Sequence, residues 1–483
     1  MFHTKKQSFI ITSISILAIL LTAILRFKYG SEKAASWDQV DFSLGVMEYD
    51  LLSMQPHFPG YPYFILGGMF FSLITDQAPL ALSYFNSTLL LSSVIPTYML
   101  ARKLLSRDMA LLLTALVQTS SYVNVMGIQP MSEGAAIGIL TWYVWVLYEA
   151  IQRDKTFFRV TAMFLFSVLL GIRVSYVLFG TGLLYMWWMT FKKLGKSGAL
   201  VIIGELVIAV CFQLIWLIGL AANVGGWGTL FEIGFGFSKG HFIEWGGTSL
   251  SNEASLWKRI FLLVFNNILW TGFFSQDGIL VVLFTIAFMI RLKCREQPRL
   301  LKFMLVFIVS YFFWALFAQN IDKPRHILPI VVLGLFYIGA RLLRRNTKSS
   351  YLLIIVFILA QSVMGAMFMK KQHDEEPAVY QLAKDLTNKY ENSIVYTWEE
   401  TRVLGYLNVP FEHKRIMTYD KFLEDLSYKK DKTVLLTDKV RDGFIQQGAN
   451  PNHFKKITSY KSTKLFDPIY SQITLYKWEG SER

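Results

Sequence analysis

The chain has 483 residues, of which 53% are hydrophobic, 16% aromatic and only 17% charged, and its formal net charge is +14. Apolar runs such as residues 8–27 have the length of about 20 residues needed to cross a hydrocarbon core, so an ordinary soluble protein is excluded and a polytopic membrane protein is predicted. The positive charge does not indicate nucleic acid as a partner, because many of the Lys and Arg residues lie in short loops between apolar segments.

The basic loops predict the topology of the chain, because short loops rich in Lys and Arg mark the cytoplasmic side of a membrane. Alternating sides between these loops gives about eleven crossings, near 8–27, 79–101, 109–127, 134–150, 158–172, 175–191, 199–222, 277–290, 301–318, 327–342 and 350–369. We expect a multi-pass plasma-membrane protein with a cytoplasmic N-terminus. The first crossing is interpreted as a retained signal-anchor, since no convincing small-residue cleavage site follows it.

Two long loops on the predicted exterior side are more than connectors, namely residues 28–78 and 223–276. They contain the part-apolar pieces 63–75 and 259–274, which we interpret as helices in the membrane interface. Both loops belong to the predicted transmembrane catalytic domain, residues 1–369.

The composition changes after residue 369, where about a third of the residues are charged, against about an eighth before. Residues 392–398, 432–438 and 471–478 read as strands, and 377–390 and 419–430 read as helices. Strands that alternate with helices predict a small α/β domain with a partly parallel sheet over residues 370–483. The charge rule places this domain outside the cytoplasm.

The stretch "WDQVDFSLGVMEYDLLSMQPHFPGYPYF" (37–64) places acids and prolines just after the first crossing. A helix over about 37–52 puts Asp38 and Asp41 on one face, opposite an apolar face that suits the interface. The following "QPHFPGYP" is stiff and non-helical, so it can hold His57 and Tyr61 close to the acids. The acids form either a solvated face or a site for general-base chemistry.

An acid near the start of this loop, followed by a "PHPPGYP"-like run, resembles membrane glycosyltransferases of the GT-C fold. The closer resemblance is to the group of protein O-mannosyltransferases and aminoarabinose transferases, which use polyprenyl-phosphate sugars. The resemblance also includes the number of crossings, the C-terminal domain, the "GIRVS" turn (171–175) and the "KPRHILP" turn (323–329).

The resemblance implies that Asp38 is the general base that deprotonates an acceptor hydroxyl. The family often has adjacent Asp and Glu at this place, whereas this chain has "DQ". The second acid is therefore open between Asp41 and Glu133, which topology puts on the same side as Asp38. For Glu133 the alternative is a helix-start residue stabilised by the helix dipole.

Several basic residues on the predicted exterior side are candidates for binding phosphate. Arg173 interrupts a long apolar stretch, and either structural anchoring or phosphate binding explains it. Lys323, Arg325 and His326 gather in "DKPRHILP", where Arg suits bidentate phosphate binding and Lys acts as a point charge; the alternative is a surface anchor.

The second long loop adds Lys239 and His241 among glycines and aromatic residues. These aromatic residues either stack on a sugar or prenyl chain or form an interfacial belt.

The predicted function is transfer of a sugar, with inversion, from a polyprenyl-phosphate donor to a hydroxyl of a protein, lipid or wall polymer. Nucleotide and metalloprotease motifs are missing, as is a D-x-D motif, so a metal-bound nucleotide sugar is disfavoured as donor. No metal ligands are assigned, while a role for a divalent cation stays open. The alternative function is a transporter or flippase of lipid-linked saccharides, which would need the cations and aromatics but no base.

Overall fold

The computed structural model describes residues 5–252, 254–289, 297–390, 392–429 and 431–480. Contacts between residues divide the chain into two compact units. The first unit comprises residues 1–32 and 42–373, and the second comprises residues 33–41 and 374–483. A short N-terminal segment is thus part of the second unit, whereas the sequence predicted a simple boundary between residues 369 and 370.

The first unit is helical throughout, because a helix satisfies its own backbone hydrogen bonds where water is absent. Its helices are α1 (Lys5–Lys28), α2 (Trp37–Met47, whose first turn lies in the second unit), α3 (Pro62–Phe71), α4 (Ala78–Ser92), α5 (Val94–Arg102), α6 (Arg107–Gln118), α7 (Ser121–Gly127), α8 (Glu133–Arg153), α9 (Thr156–Ile172), α10 (Thr181–Leu194), α11 (Lys196–Asn223), α12 (Trp227–Lys239), α13 (Leu256–Phe261), α14 (Gly278–Met289), α15 (Arg299–Ala318), α16 (Leu328–Leu343) and α17 (Lys348–Asp374). Short 3₁₀ segments cover Val174–Gly180 and Pro324–Ile327, and π-helical segments cover Gly240–Trp245 and Leu262–Phe273.

The helices match the predicted crossings. Within the described residues, eight helical runs are long and apolar enough to cross a membrane, or ten if each of two bent pairs counts as one span. The bent pair Arg107–Gln118 with Ser121–Gly127 corresponds to the third predicted crossing. In the second bent pair, Gly278–Met289 corresponds to the eighth predicted crossing, whereas Leu256–Phe273 covers the piece 259–274 that was predicted to be an interfacial helix. The predicted crossing 158–172 is the shorter apolar helix α9. Residue 290, at the end of the eighth predicted crossing, lies outside the described residues.

The outer surfaces of these helices are apolar. On α11, for example, Leu200, Val207 and Ile215 are all more than half exposed. Such a surface is unstable in water but is solvated by hydrocarbon chains. The chain is therefore a multi-pass membrane protein with a small α/β unit.

The first long loop differs from its prediction at one end. The helix predicted over 37–52 ends at Met47, so the prediction is wrong for its last five residues. The reason is a tight turn in which the N–H and C=O of Asp50 both pair with Gln55, at 2.7 and 2.8 Å. Gly60 follows with a φ of +86°, and a Cβ there would lie 2.7 Å from the hydroxyl oxygen of Tyr49.

A single buried arginine connects the second long loop to the end of α15. Arg259 is 1% exposed, and its guanidinium donates to the carbonyl oxygens of Gly247, Thr248, Leu316 and Gln319 at 2.9–3.1 Å. These carbonyl oxygens have no hydrogen-bond donor within a helix, and Arg259 supplies one, as buried polar groups usually require. The segment that leads to Lys323 is held in place by this clamp.

The second unit is built on a mixed five-stranded sheet. Its elements are α18 (Ala378–Lys389), β1 (Ser393–Tyr396), α19 (Glu400–Tyr406), β2 (Glu412–Lys414), α20 (Tyr419–Ser427), β3 (Thr433–Thr437), α21 (Asp438–Gln446), β4 (Phe454–Lys461) and β5 (Gln472–Trp478). The strand order is β2-β1-β3-β5-β4, with β2, β1 and β3 parallel and β5 and β4 antiparallel to their neighbours.

The predicted strands and helices of this unit are all present, and the sheet is partly parallel as expected. The sequence missed β2, β4, α19 and α21. Strand β4 carries exposed lysines and β2 has only three residues, so neither shows the apolar alternation of a half-buried strand. The core contains Tyr396, Phe422 and Trp478, and the ring of Phe422 contacts the rings of the other two.

One buried carboxyl in the second unit has an unusual proton affinity. Burial raises the pKa of Glu400 to about 7, although its carboxylate accepts a hydrogen bond from the N–H of Trp398 at 2.8 Å. Glu412, in contrast, has its pKa lowered to about 2 by hydrogen bonds from Lys429 and Lys432. The two groups therefore act on stability in separate pH ranges.

We expect the second unit to lose stability as the pH rises from about 4.5 to 7. The folded state holds the Glu400 proton more tightly than the unfolded state does, so deprotonation in this window favours unfolding. The difference between 4.5 and about 7 corresponds to about 3 kcal/mol. Hydrogen exchange of the β1 and β3 amides in the full chain, corrected for intrinsic rates, measures this change in the stability of the second unit with pH. Burial also raises the pKa of Asp438, while burial lowers the pKa of His413 and so acts in the opposite direction. Glu400→Gln should therefore remove only its own contribution to the pH dependence of stability, whereas Glu424→Gln, at an exposed position of α20, should leave that dependence unchanged. If the stability of Glu400→Gln depends on pH as that of the wild type does, Glu400 is not the group responsible.

Replacing Arg259 by Gln should lower the free energy of unfolding by about 3 kcal/mol, because several buried carbonyls lose their donor. Thermal unfolding of the purified protein in detergent measures the change. Lys258→Gln is the matched control on the exposed side of the same helix, and it should change stability by less than about 0.5 kcal/mol. Equal melting curves for the two variants would show that the clamp does not matter.

Candidate functional site

Glu133 stands at the first residue of α8, with its side chain 1% exposed. The loop before it is held by Asn86 of α4, whose amide donates to the carbonyls of Gln129 and Met131, at 2.8 Å each. The amide oxygen of Asn86 accepts from the N–H of Ala135 at 2.8 Å. The start of α8 is fixed by these bonds, and the helix dipole favours a carboxylate there.

Arg173 follows the last residue of α9 in an extended conformation and points its guanidinium at Glu133. Nη2 lies 3.0 Å from Oε1 of Glu133, and Nη1 donates to the hydroxyl of Ser132 at 2.9 Å. Nη2 also lies 3.0 Å from Nδ1 of His326. Because a guanidinium can only donate, Nδ1 of His326 is the acceptor and the ring carries its proton on Nε2.

A second guanidinium reaches the same carboxylate. Arg325, in the 3₁₀ turn Pro324–Ile327, places Nε 2.9 Å from Oε1 of Glu133. These contacts have ion-pair distances, but their angles are not those of aligned hydrogen bonds. One carboxylate thus faces two guanidiniums, and the cluster carries a surplus positive charge in a region with little water.

Tyrosines surround this cluster and keep it away from solvent. Tyr122, Tyr176 and Tyr311 are each 1–2% exposed, and the rings of Tyr176 and Tyr311 meet edge to face at 5.5 Å. The hydroxyls of Tyr176, Tyr311 and Tyr61 interact electrostatically with Arg173. Tyr61 connects the first long loop to the cluster. At low dielectric the attraction between these cations and an anion is stronger than at the protein surface.

Aromatic rings connect the two long loops. His57 packs edge to face on Tyr61 and stacks on Phe237, with ring centroids 5.3 and 6.4 Å apart. Phe237 stacks in turn on His241, and the two ring planes differ by only 5°. The row of His57, Phe237 and His241 joins the prolines of one loop to the π-helical segment of the other.

His241 also contacts the turn that carries Lys323. Its Nε2 lies 3.1 Å from the carbonyl oxygen of Ala318. Burial lowers the pKa of His241, and the charge of Lys323 lowers it further. His241 is therefore neutral at pH 7, and Nε2 donates to the carbonyl.

The structure thus connects eight of the nine candidate residues that fall in the first unit, directly or through intermediate residues. They are His57, Tyr61, Glu133, Arg173, His241, Lys323, Arg325 and His326. The ninth, Lys239, lies at the exposed end of α12, and among the described contacts none joins it to the others.

Asp38 and Asp41 lie in the first turns of α2, within the second unit. Asp38 is half-buried, where the helix dipole stabilises a carboxylate. Asp41 is 0% exposed, and its Oδ1 lies 2.8 Å from Nε of Arg402. The interpretation as a solvated acidic face therefore does not hold for Asp41.

The sequence did not single out the residues that hold these groups. Ser132 and Asn86 are ordinary polar residues in apolar surroundings, and Tyr176 and Tyr311 merge into their helices. Arg402 lies in the segment "TWEETR" (397–402) of the second unit. Because the domain is rich in charged residues, one more arginine did not stand out in the sequence as a functional residue.

Within the described part of the chain, no group of three or more His, Cys, Asp or Glu side chains is arranged to hold a metal ion.

Comparison by sequence gives no relative: no protein-family profile matches the chain, and no curated protein matches it.

Comparison by structure does find similar proteins. ArnT, the aminoarabinose transferase, from Cupriavidus metallidurans bound to undecaprenyl phosphate superposes with a TM-score of 0.56 at 10% identity, over 97% of this chain and 98% of that one. The apo form of the same protein gives 0.57 at 11% identity, over 96% and 97%. The Archaeoglobus fulgidus oligosaccharyltransferase, crystallised with a tethered acceptor peptide, gives 0.48 at 11% identity, over 94% of this chain and 73% of that one.

At these identities the likeness concerns the fold, which extends over nearly the whole chain and includes the α/β unit. The predicted resemblance in fold is confirmed, and this chain is a polytopic helical membrane protein with the GT-C fold.

Proposed function

We propose that the protein transfers a sugar from a polyprenyl-phosphate donor to an acceptor hydroxyl. The observation that carries this proposal is the buried cluster in which Arg173 and Arg325 share the single carboxylate of Glu133. A surplus of guanidinium charge at low dielectric suits an anion that brings its own hydrocarbon chain, such as a lipid phosphate. The GT-C fold supports the proposal, since one structure with this fold is of a transferase bound to undecaprenyl phosphate.

In the proposed reaction Asp38 removes the proton of the acceptor hydroxyl as its oxygen attacks the anomeric carbon of the sugar. The new C–O bond forms on the face opposite the bond to phosphate, so the anomeric centre is inverted. The electron pair of the breaking bond goes to the phosphate oxygen, and polyprenyl phosphate leaves.

The negative charge of the leaving phosphate grows in the transition state, so donors fixed beforehand in a dry site stabilise it most. We assign this role to Arg173 and Arg325, with Lys323 and His326 as further donors. Glu133, named as a candidate second acid, is given the role of holding the two guanidiniums in position. His57, Tyr61 and His241 are assigned to the sugar or prenyl chain, and Lys239 is kept as a candidate for phosphate.

The loops rich in Lys and Arg support an orientation with the N-terminus in the cytoplasm and the α/β unit outside, in the plasma membrane. A lipid-linked donor fits that location, because nucleotide sugars are made in the cytoplasm. The proposed acceptor hydroxyl belongs to a protein, a lipid or a wall polymer.

Asp38→Asn should lower kcat by about 10²–10⁴-fold, the contribution of a general base. The assay uses purified full-length protein in liposomes with a panel of undecaprenyl-phosphate sugars, namely aminoarabinose, mannose, glucose and galactose. Three acceptors are offered: lipid A, a Ser/Thr-rich peptide and poly(glycerol phosphate). Glu48→Gln, an exposed acid just after α2, is the control and should keep full activity. Unchanged transfer by Asp38→Asn would overturn its role as base. Movement of the donor between leaflets without transfer would instead establish a flippase.

Arg325→Gln should weaken binding of undecaprenyl phosphate by about tenfold or more, because a charged donor is lost from the anion site. The increase in melting temperature on adding undecaprenyl phosphate measures binding. Arg159→Gln is the matched control: Arg159 makes a buried ion pair with Glu205 among α9, α10 and α11. It should destabilise the protein but preserve the increase caused by the ligand. If both variants keep that increase, the cluster does not bind phosphate.

A further inference from the structure

The segment 33–41, which carries Asp38, is attached to the second unit from its first residues. Lys33 donates to the carbonyl of Glu375 at 2.9 Å, and the N–H of Ala34 donates to the hydroxyl of Tyr380 at 3.1 Å. Contacts beginning at Lys33 therefore fix the approach of the chain to α2.

Trp37, directly before Asp38, is held by two arginines. The guanidinium carbon of Arg402 lies 5.8 Å from the centroid of the Trp37 ring, and that of Arg415 lies 5.2 Å from it. Arg415 lies over the ring of Trp398 as well, at 4.8 Å. Distances within about 6 Å are those of cation–π contacts, which restrict the orientation of an indole ring.

Asp41, one turn after Asp38, is held by the same Arg402. Its carboxylate is completely buried and pairs with Nε of Arg402 at 2.8 Å. Trp37 and Asp41 are four residues apart and thus share a face of the helix, which lets one guanidinium contact both. Because breaking a buried ion pair leaves a charge without compensation, this contact resists separation.

The arginines that hold this segment belong to the edge at which α/β sheets usually bind ligands. Arg402 and Trp398 follow β1, and Arg415 follows β2, so all three lie beyond the carboxyl ends of parallel strands. The chain leaves β1 toward β2 on one side and leaves β3 toward β4 and β5 on the other, so the connections after the neighbouring strands β1 and β3 run in opposite directions. Such a switch point opens a crevice in open α/β sheets. Here Ser36 and Trp37 line a small cleft together with Glu400 and Val403.

We propose that Arg402 is a positioning residue for Asp38, and that the α/β unit acts in the reaction by holding the acid-bearing turn of α2 on both sides of that acid. This inference rests on the proposed function, in which Asp38 is the base. A displacement of about 1 Å is enough to cost about 10²-fold in rate, so a small disorder of this turn has a large kinetic effect. Arg402 touches neither donor nor acceptor in this proposal.

The experiment compares full-length Arg402→Gln, Arg402→Lys and the double variant Asp41→Asn with Arg402→Gln, in liposomes. Arg441→Gln is the control. Arg441 lies in the same unit, pairs with Asp442 at 2.7 Å and stacks over Tyr476 at 4.7 Å, so it matches Arg402 in kind of contact but is not bound to residues 33–41. The readouts are hydrogen exchange of residues 37–41, kcat and KM for the most active donor of the panel, and binding of undecaprenyl phosphate.

Arg402→Gln should raise the exchange rate of residues 37–41 at least tenfold and lower kcat by about 30–100-fold, with KM and undecaprenyl phosphate binding within threefold of the wild type. Arg402→Lys should recover most of kcat, since Lys keeps a charge for Asp41 and a cation for Trp37. The double variant should be better than Arg402→Gln alone, because no buried carboxylate is left without its cation. Arg441→Gln should behave as the wild type in every readout.

Faster exchange without a loss of kcat would overturn the positioning role, as would a loss of kcat that Arg402→Lys does not recover. Asp38→Asn in the same assay separates the two proposals. If Asp38→Asn is fully active, the base assignment fails; if it is inactive while Arg402→Gln resembles the wild type, the positioning role alone fails. Should the wild type transfer no sugar of the panel, the transferase proposal fails, and unchanged exchange in Arg402→Gln would still overturn the claim that Arg402 orders this turn.

Discussion

The arrangement of the membrane unit depends on one buried carboxylate with two guanidiniums. Glu133 starts α8, Arg173 directly follows α9, and Arg325 precedes α16, so the ion pairs join three helix ends that are far apart in the sequence. Each charge alone would be very costly in these surroundings, and each is tolerable because the others are present. The bonds of Asn86 and the Arg259 clamp serve the same arrangement, because they fix the loops from which these side chains extend. The tyrosines packed edge to face keep it away from solvent.

An arrangement of this kind is costly as a means of stability, since apolar residues of similar size would stabilise the same helix ends at least as well. Its value lies in the charge that remains. Two guanidiniums against one carboxylate leave a surplus positive charge, which in the proposed function pairs with a lipid phosphate. In the proposed function, the apolar outer surface of the helices is the side from which a donor with a long hydrocarbon tail arrives.

Much of the fold could be predicted from the sequence, because the bilayer imposes a length and an apolar composition on each crossing. Within the described residues, each of the eleven predicted crossings coincides with helical structure, although 259–274, predicted as an interfacial helix, forms a bent pair with the eighth. Alternation of strands and helices likewise predicted the mixed sheet. The limits of α2 and the short strand β2 were not predictable, since they depend on contacts such as the pairing of Asp50 with Gln55 rather than on periodicity.

The candidate site was predictable where a charged residue stands out against an apolar background, as Glu133, Arg173 and Arg325 do. It was not predictable where partners are common residues in a polar domain. Asp41 and Arg402 are 361 positions apart, and nothing near either of them indicates the other. The aromatic row of His57, Phe237 and His241 was likewise not predictable, because each of these residues also suits an interfacial belt.

The membership of residues 33–41 in the second unit has a consequence for biosynthesis. Membrane helices are inserted one after another as the chain emerges, and α1 is among the first. The turn of α2 that bears Asp38 and Asp41 nevertheless lacks its partners until Arg402 and Arg415 have been synthesised and β1, β2 and β3 have paired. Most of the chain is therefore in the membrane before this turn takes its final form, and a nascent chain stopped before residue 374 contains the acids without the unit that orders them.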